Sequence, residues 1–286
     1  MSETALRLTG KTRVLAVFGC PVEHSLSPAM HNAAIRALGL DLVYVPFRVE
    51  PDRLRDAVAG VRAMEFLGVN LTIPLKEQAV SLVDGLSPGA ARVGSVNTLW
   101  WKDGSLMGES TDGPGFISSL EEAGGLPATA LVLGAGGSGR AICFALAERG
   151  VRIILANRTP ERARRLAEEI GDAGVRVIPM GAEALREACR EADLVVNCTS
   201  VGMSPNIGVS PLTPDALRAG QTVYDLVYNP PETALLADAR AAGARPINGV
   251  RMLVHQGAYS FRLWTGVEPP LDVMEAAVME GLKKEA

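Results

Sequence analysis

The chain has 286 residues, of which 48% are hydrophobic and 21% charged, and its formal net charge is −4 at pH 7. That length holds one large domain or two of ordinary size, and the balance is that of a globular chain, not a disordered one. A slightly acidic chain without a long basic run excludes a nucleic-acid-binding surface; no apolar run reaches membrane-spanning length, and the start MSETALRLTGKTRV lacks the apolar core of a signal peptide.

Residues 14–18 form an apolar run closed by Gly19, which predicts a buried strand. In the segment CPVEHSLSPAMHNAAIRALG that follows, Ser27 is expected as the N-cap of a helix, with Pro28 at its first position and Gly39 at its end. Ser25 is not needed for that helix start. Two hydroxyls at a strand-to-helix junction, beside free helix N–H groups, suit a carboxylate ligand. His24 and His31 have no matching partners nearby in sequence and read as structural. Residues 42–49 alternate as a strand, Pro51 opens an amphipathic helix through residue 61, and residues 66–72 form the next strand. Pro74 ends that ladder and Lys76 is expected to begin a short helix, where a lysine is slightly unfavourable against the macrodipole. Spacing alone would leave Lys76 as an exposed side chain. Residues 96–101 and 105–108, joined by Asp103-Gly104, predict a hairpin with Asn97 on its first strand. Asp112 stands before a Gly-Pro-Gly bend, which is ordinary turn chemistry. A helix over 116–123 then crosses to the second half, and this crossover is the candidate domain boundary.

Residues 129–140, TALVLGAGGSGR, organise that half: an apolar strand runs into Gly134, Gly136 and Gly139 and then into a helix that stops at Gly150. The first glycine permits a tight turn, the second lets a pyrophosphate approach the backbone, and the third lets the helix pack against the sheet. A strand over 152–156 completes a right-handed βαβ unit, so the loop reads as a dinucleotide site. At the end of that strand an acid would hold the ribose hydroxyls of NAD, whereas the residues here are Asn157, Arg158 and Thr159, then Pro160 and Arg162. Guanidinium groups at Arg158 and Arg162 suit the extra phosphate of NADP, and Thr159 also suits an N-cap. Strands over 176–178, 194–197, 222–226 and 244–247 alternate with helices over 183–191 and 232–242, which implies a parallel sheet covered on both faces. Two further helices, around 251–266 and 271–284, end the chain and are expected to pack back on the first half. The cysteines, Cys20, Cys143, Cys189 and Cys198, lack a CxxC pair and read as buried free thiols in a reducing compartment, with no metal site.

Taken in order, GCPVEHSLSPAMHN (19–32), NLTIPLK (70–76), GSVNTL (94–99), TDG (111–113), the glycine loop, NRTPER (157–162), NCTSVGM (197–203), YDLVYNP (224–230) and MLVHQ (252–256) resemble the shikimate dehydrogenase family over nearly the whole chain. The resemblance implies a two-domain α/β fold. Residues 1–113, completed by 250–286, would form the substrate domain, and 114–249 a Rossmann-type doubly wound NADP-binding domain. It implies an oxidoreductase that reversibly reduces 3-dehydroshikimate to shikimate with NADPH, a step of chorismate and aromatic amino acid biosynthesis, with a homodimer open; the scattered thiols, the start without a signal-peptide core and the lack of a spanning run place it in the cytoplasm. Ser25 and Ser27 would hold the substrate carboxylate, Thr72, Asn97 and Gln256 the ring hydroxyls, and Lys76 and Asp112 would flank the reacting oxygen. The cofactor would be bound by Gly134, Ala135, Gly136, Gly137, Ser138 and Gly139, by Asn157, Arg158, Thr159 and Arg162, and by Leu226, Tyr228 and Gly249. Glu109, Ser110 and Arg251 depart from the family pattern, Arg251 near the expected nicotinamide end. Two alternatives stay open: a quinate/shikimate dehydrogenase of broader range, and a non-catalytic NADP-binding sensor.

Overall fold

The computed structural model describes residues 8–171 and 174–285; the first residues of the polar start, 1–7, lie outside them. Successive side chains of a strand point to opposite faces, and in β1 (Arg13–Gly19) both faces are covered. Leu15 and Val17 enter one core, and Ala16 and Phe18 another. After it come α1 (Ser27–Ala37), β2 (Leu42–Arg48), α2 (Leu54–Ala63), β3 (Gly68–Leu71), β4 (Gly85–Leu86), α3 (Pro88–Val93), β5 (Thr98–Lys102) and β6 (Ser105–Glu109). The strands form a six-stranded mixed sheet in the order β2-β1-β3-β5-β6-β4, in which β1, β2 and β3 are parallel and the β5–β6 hairpin is antiparallel. Asp103 and Gly104 take φ of 49° and 80°, as a two-residue hairpin turn requires.

The second half runs α4 (Asp112–Glu122), β7 (Thr129–Leu133), α5 (Gly137–Ala147), β8 (Arg152–Ala156), α6 (Pro160–Ile170), β9 (Val175–Ile178), α7 (Ala182–Glu191), β10 (Leu194–Asn197), β11 (Thr222–Asp225), α8 (Ala234–Ala241) and β12 (Arg245–Ile247). Its six strands are all parallel, in the order β12-β11-β10-β7-β8-β9. Strand order reverses between β7 and β10, and in such a sheet ligands bind beyond the carboxyl ends of the strands at that switch point. Ala130 and Val132 of β7 pack under α5 and α6, whereas Leu131 and Leu133 pack under α7 and α8. This two-sided burial is why the strand reads as an unbroken apolar run. The chain then returns to the first sheet: Val254 and Phe261 of α9 (Val250–Thr265) and Met274 and Leu282 of α10 (Leu271–Glu285) share a core with Leu15 and Met30. No helix among the described residues is long and apolar enough to cross a membrane.

Three local expectations are corrected. Ser27 is the first residue of α1, not its cap; Leu26 holds the N-cap position with no side-chain capping bond. Leu26 is buried in the core shared with α10, which seats the helix start one residue earlier than the hydroxyl pattern suggests. The Ser25 hydroxyl accepts a long bond from the Ser27 amide, at 3.4 Å. Lys76 begins no helix: it lies in a turn before a short 3-10 segment, Gln78–Ser81, because Leu75 and Ala79 are anchored in the core and the Lys76 carbonyl accepts from the Val96 amide. Asp112 is not a turn aspartate: it is the first residue of α4 and is buried. A carboxylate at that end of a helix is favoured by the unpaired amide groups.

Candidate active site

Two of the three glycines, Gly134 at the turn and Gly139 at the packing of α5, have the roles their spacing implies. Gly134 takes φ of +107°, and a Cβ placed on Gly139 would lie 2.2 Å from the Gly134 carbonyl oxygen, so only glycine lets α5 fold so tightly against the turn. Gly136 faces open space and caps α5 without a side-chain bond, leaving the amide groups of the first turn to an anion. Asn157 braces the loop: its Oδ1 accepts from the Ala135 amide at 3.0 Å and its Nδ2 donates to the Thr159 carbonyl at 2.8 Å. Thr159 is the N-cap residue of α6, although its hydroxyl makes no capping bond. Arg158 is exposed beside it. Arg162 is also exposed but is engaged, donating to both oxygens of Glu77 in the first half at 2.8 and 2.9 Å.

A cleft of about 510 Å³ lies between the two sheets, and Ser25, Ser27, Thr72, Lys76, Asn97, Asp112 and Gln256 all line it. So do Ser138 of the glycine loop, Leu226, Tyr228 and Gly249. Lys76 Nζ donates to Asp112 Oδ2 at 2.5 Å, and their side chains are only 13% and 6% exposed. A pair so enclosed is held by its remaining bonds. Asn97 Nδ2 donates to Asp112 Oδ1 at 2.8 Å, and Ser138 Oγ donates to Asp112 Oδ2 at 3.1 Å while accepting from Lys76 Nζ at 3.1 Å. The Asn97 amide also reaches Gln256 Oε1 at 3.3 Å. Gln256 comes this close because α4 and α9 meet at Gly115, where a Cβ would lie 2.7 Å from the Gln256 amide nitrogen. The Gly-Pro-Gly segment after Asp112 is therefore a helix contact, not a bend.

Residues outside the expected site set also shape the cleft. Asn70 Nδ2 donates to the Asn97 carbonyl and to the Thr98 and Ser260 hydroxyls, and Asn70 Oδ1 accepts from the Tyr44 hydroxyl at 2.7 Å. An asparagine inside an apolar strand must find partners, so Asn70 carried a signal of its own. Asp225, at the end of β11, accepts from Asn197 Nδ2, the Thr233 hydroxyl and the Val227 amide, and so fixes the Leu226–Tyr228 wall of the cleft; burial raises its carboxyl to about 6. Arg251 is not at the cleft: it binds Glu122 and Glu275 and ties α9 to α4 and α10. Glu109 Oε1 accepts from the Ser87 hydroxyl and the Ser110 amide, and Ser110 is buried. Cys143 and Cys189 are buried as expected, whereas Cys20 and Cys198 are only half-buried and Cys198 lines the cleft, because it follows β10 at the strand end that opens there.

His31 is fully buried, stacked on Tyr44 at 4.3 Å, and neither ring nitrogen has a hydrogen-bond partner among the described residues. Burial lowers its imidazole from 6.5 to about 3. Between those values the unfolded chain binds the proton and the folded chain does not, so this contribution to stability is complete above pH 6.5 and is lost as pH falls through the window. Urea unfolding at pH 7 and pH 5 should show the parent losing about 2 kcal/mol more than His31→Phe. Parallel losses would mean that His31 is not held neutral.

A doubly wound dinucleotide sheet facing a second α/β unit across a polar cleft is the architecture of a nicotinamide-dependent oxidoreductase. Residues 17–99 match the description "Shikimate dehydrogenase substrate binding domain", residues 121–207 "Shikimate / quinate 5-dehydrogenase", and residues 249–279 "Shikimate 5'-dehydrogenase C-terminal domain". The chain is 49% identical over 283 residues to the shikimate dehydrogenase (NADP(+)) of Moorella thermoacetica, covering 97% of this chain and 96% of that protein. It superposes on the Thermus thermophilus shikimate 5-dehydrogenase, solved with NADP(H) and shikimate, with a TM-score of 0.86 at 44% identity, over 94% of this chain and 100% of that one. The quinate dehydrogenase of Corynebacterium glutamicum, solved with NAD, gives a TM-score of 0.85 at 32% identity, over 94% and 99%. The chain belongs to the shikimate dehydrogenase family.

Proposed function

We propose that this chain catalyses the reversible, NADP-dependent reduction of 3-dehydroshikimate to shikimate, serving aromatic amino acid biosynthesis. One observation carries the reading: the enclosed Lys76–Asp112 pair at the cleft, touched by a hydroxyl from the glycine loop. The substrate half comprises residues 1–113 with 250–286, and the NADP half residues 114–249. Free cysteines without disulfide pairing accord with the cytoplasm.

The residues present fit NADP: the uncapped, open start of α5 suits a diphosphate, and Arg158 and Arg162 stand where an acid would select NAD. When bound, the cofactor supplies the hydride. The chain supplies the proton and the field. As the C3 carbonyl gains electron density, the Lys76 ammonium stabilises the developing oxyanion and hands it a proton. Asp112 keeps Lys76 directed at that oxygen and accepts from a neighbouring ring hydroxyl. Ser25 and Ser27 take the substrate carboxylate, and Thr72, Asn97 and Gln256 the ring hydroxyls.

Initial rates with shikimate and quinate, each with NADP and NAD, test this. Shikimate with NADP should give the highest kcat/KM. Turnover with quinate alone would move the chain to the other substrate, and cofactor binding without turnover of either acid would make it a sensor.

The two serines give a second test. Hydrogen bonds to a charged group contribute about 1.5–3 kcal/mol, so Ser25→Ala and Ser27→Ala should each raise KM for shikimate by roughly ten- to a hundredfold. Since neither serine holds the N-cap position of α1 and the Ser25 bond to the Ser27 amide is long, thermal unfolding should change little in either variant. An unchanged KM in both would remove the carboxylate site.

A further inference from the structure

The glycine loop does more than offer amide groups to a diphosphate. It abuts Lys76: a Cβ on Gly137 would lie 3.2 Å from Lys76 Cβ. From the next residue, in the first turn of α5, the Ser138 hydroxyl makes a closed triangle with the enclosed pair, accepting from Lys76 Nζ and donating to Asp112 Oδ2, both at 3.1 Å. An ammonium has three hydrogens to donate. Asp112 and Ser138 take two of them, which leaves one to be aimed at a substrate oxygen. The second acceptor matters because an ammonium on a four-carbon stem, tied at a single point, can still rotate.

We propose that Ser138 is a positioning residue for proton transfer: its hydroxyl fixes the direction of Lys76, and because it stands on the loop that cradles the dinucleotide, it ties the proton donor to the seating of the cofactor. The inference deepens the reading of the cleft as a dehydrogenase site and rests on it. Removing the hydroxyl leaves Asp112 and Lys76 paired but the ammonium free to turn. The loss should therefore fall on the chemical step and not on substrate or cofactor binding.

The experiment compares the full-length parent with Ser138→Ala, Ser138→Thr and Lys76→Ala. It measures kcat and KM for shikimate, the solvent deuterium isotope effect on kcat, and Kd for NADP by calorimetry. Ser138→Ala should lower kcat about tenfold, with a larger isotope effect, while KM and Kd stay within about threefold of the parent. Ser138→Thr, which restores a hydroxyl, should recover most of kcat. Three outcomes overturn the proposal: an unchanged kcat, a loss confined to Kd for NADP (which makes Ser138 a phosphate ligand only), or a threonine variant as impaired as alanine. An unimpaired Lys76→Ala would instead overturn the dehydrogenase mechanism itself, so the two failures are distinguishable.

Discussion

Lys76→Ala is expected to lower kcat by about 10² to 10⁴, the contribution typical of a positioned acid-base group, while the protein stays folded and binds NADP. The reason lies in the enclosure of the pair. With only 13% of its side chain exposed, Lys76 is shielded from bulk water, so solvent cannot readily replace it as proton donor. Removing one partner of an enclosed ion pair also costs about 3–5 kcal/mol of stability, so circular dichroism and a melting curve must accompany the kinetics. Asp112 would keep its bonds from Asn97 and Ser138 in that variant, which moderates the loss. Asp112→Asn should lower kcat as well, with part of its effect in KM through the ring hydroxyl. The double variant should be far less damaged than the product of the single losses, because groups acting as one unit are not additive. Independent losses would mean that the two groups act separately, and a Lys76→Ala enzyme with near-parental kcat would mean that the pair is structural.

Arg158→Ala should weaken NADP by roughly ten- to a hundredfold and leave NAD nearly unchanged, since a charge-assisted bond to the 2′-phosphate contributes about 1.5–3 kcal/mol. Arg158 is the stronger of the two candidates. Arg162 is already held by Glu77, so its use by a phosphate requires that pair to part. Arg162→Ala should accordingly cost less than Arg158→Ala. Calorimetric Kd values for both cofactors decide the matter: equal weakening of NADP and NAD would make Arg158 a structural residue.

Much of the architecture was legible in residue order because its causes are local. β7 and β8 end where their apolar runs do, since a parallel strand buried on both faces needs an unbroken run, and Gly134 and Gly139 of the loop are dictated by backbone geometry within six residues. The missing acid after β8 is likewise a local fact. What residue order could not state was proximity. Lys76 and Asp112 are unremarkable at their own positions, and only family resemblance pairs them in sequence; the fold sets them 2.5 Å apart by laying a core-anchored turn after β3 beside the first turn of α4. A helix start departs from the hydroxyl pattern where burial outweighs side-chain chemistry: Leu26, drawn into the core under α10, takes the cap position that Ser27 is expected to fill. Arg251, suspect in sequence, is spent on two carboxylates of neighbouring helices. Ser138, Asn70 and Ser260 acquired their contacts only when α5, β3 and α9 converged. Hydrophobic period and turn chemistry act over a few residues and are written along the chain, whereas hydrogen bonds between distant side chains exist only after the sheets and helices have packed.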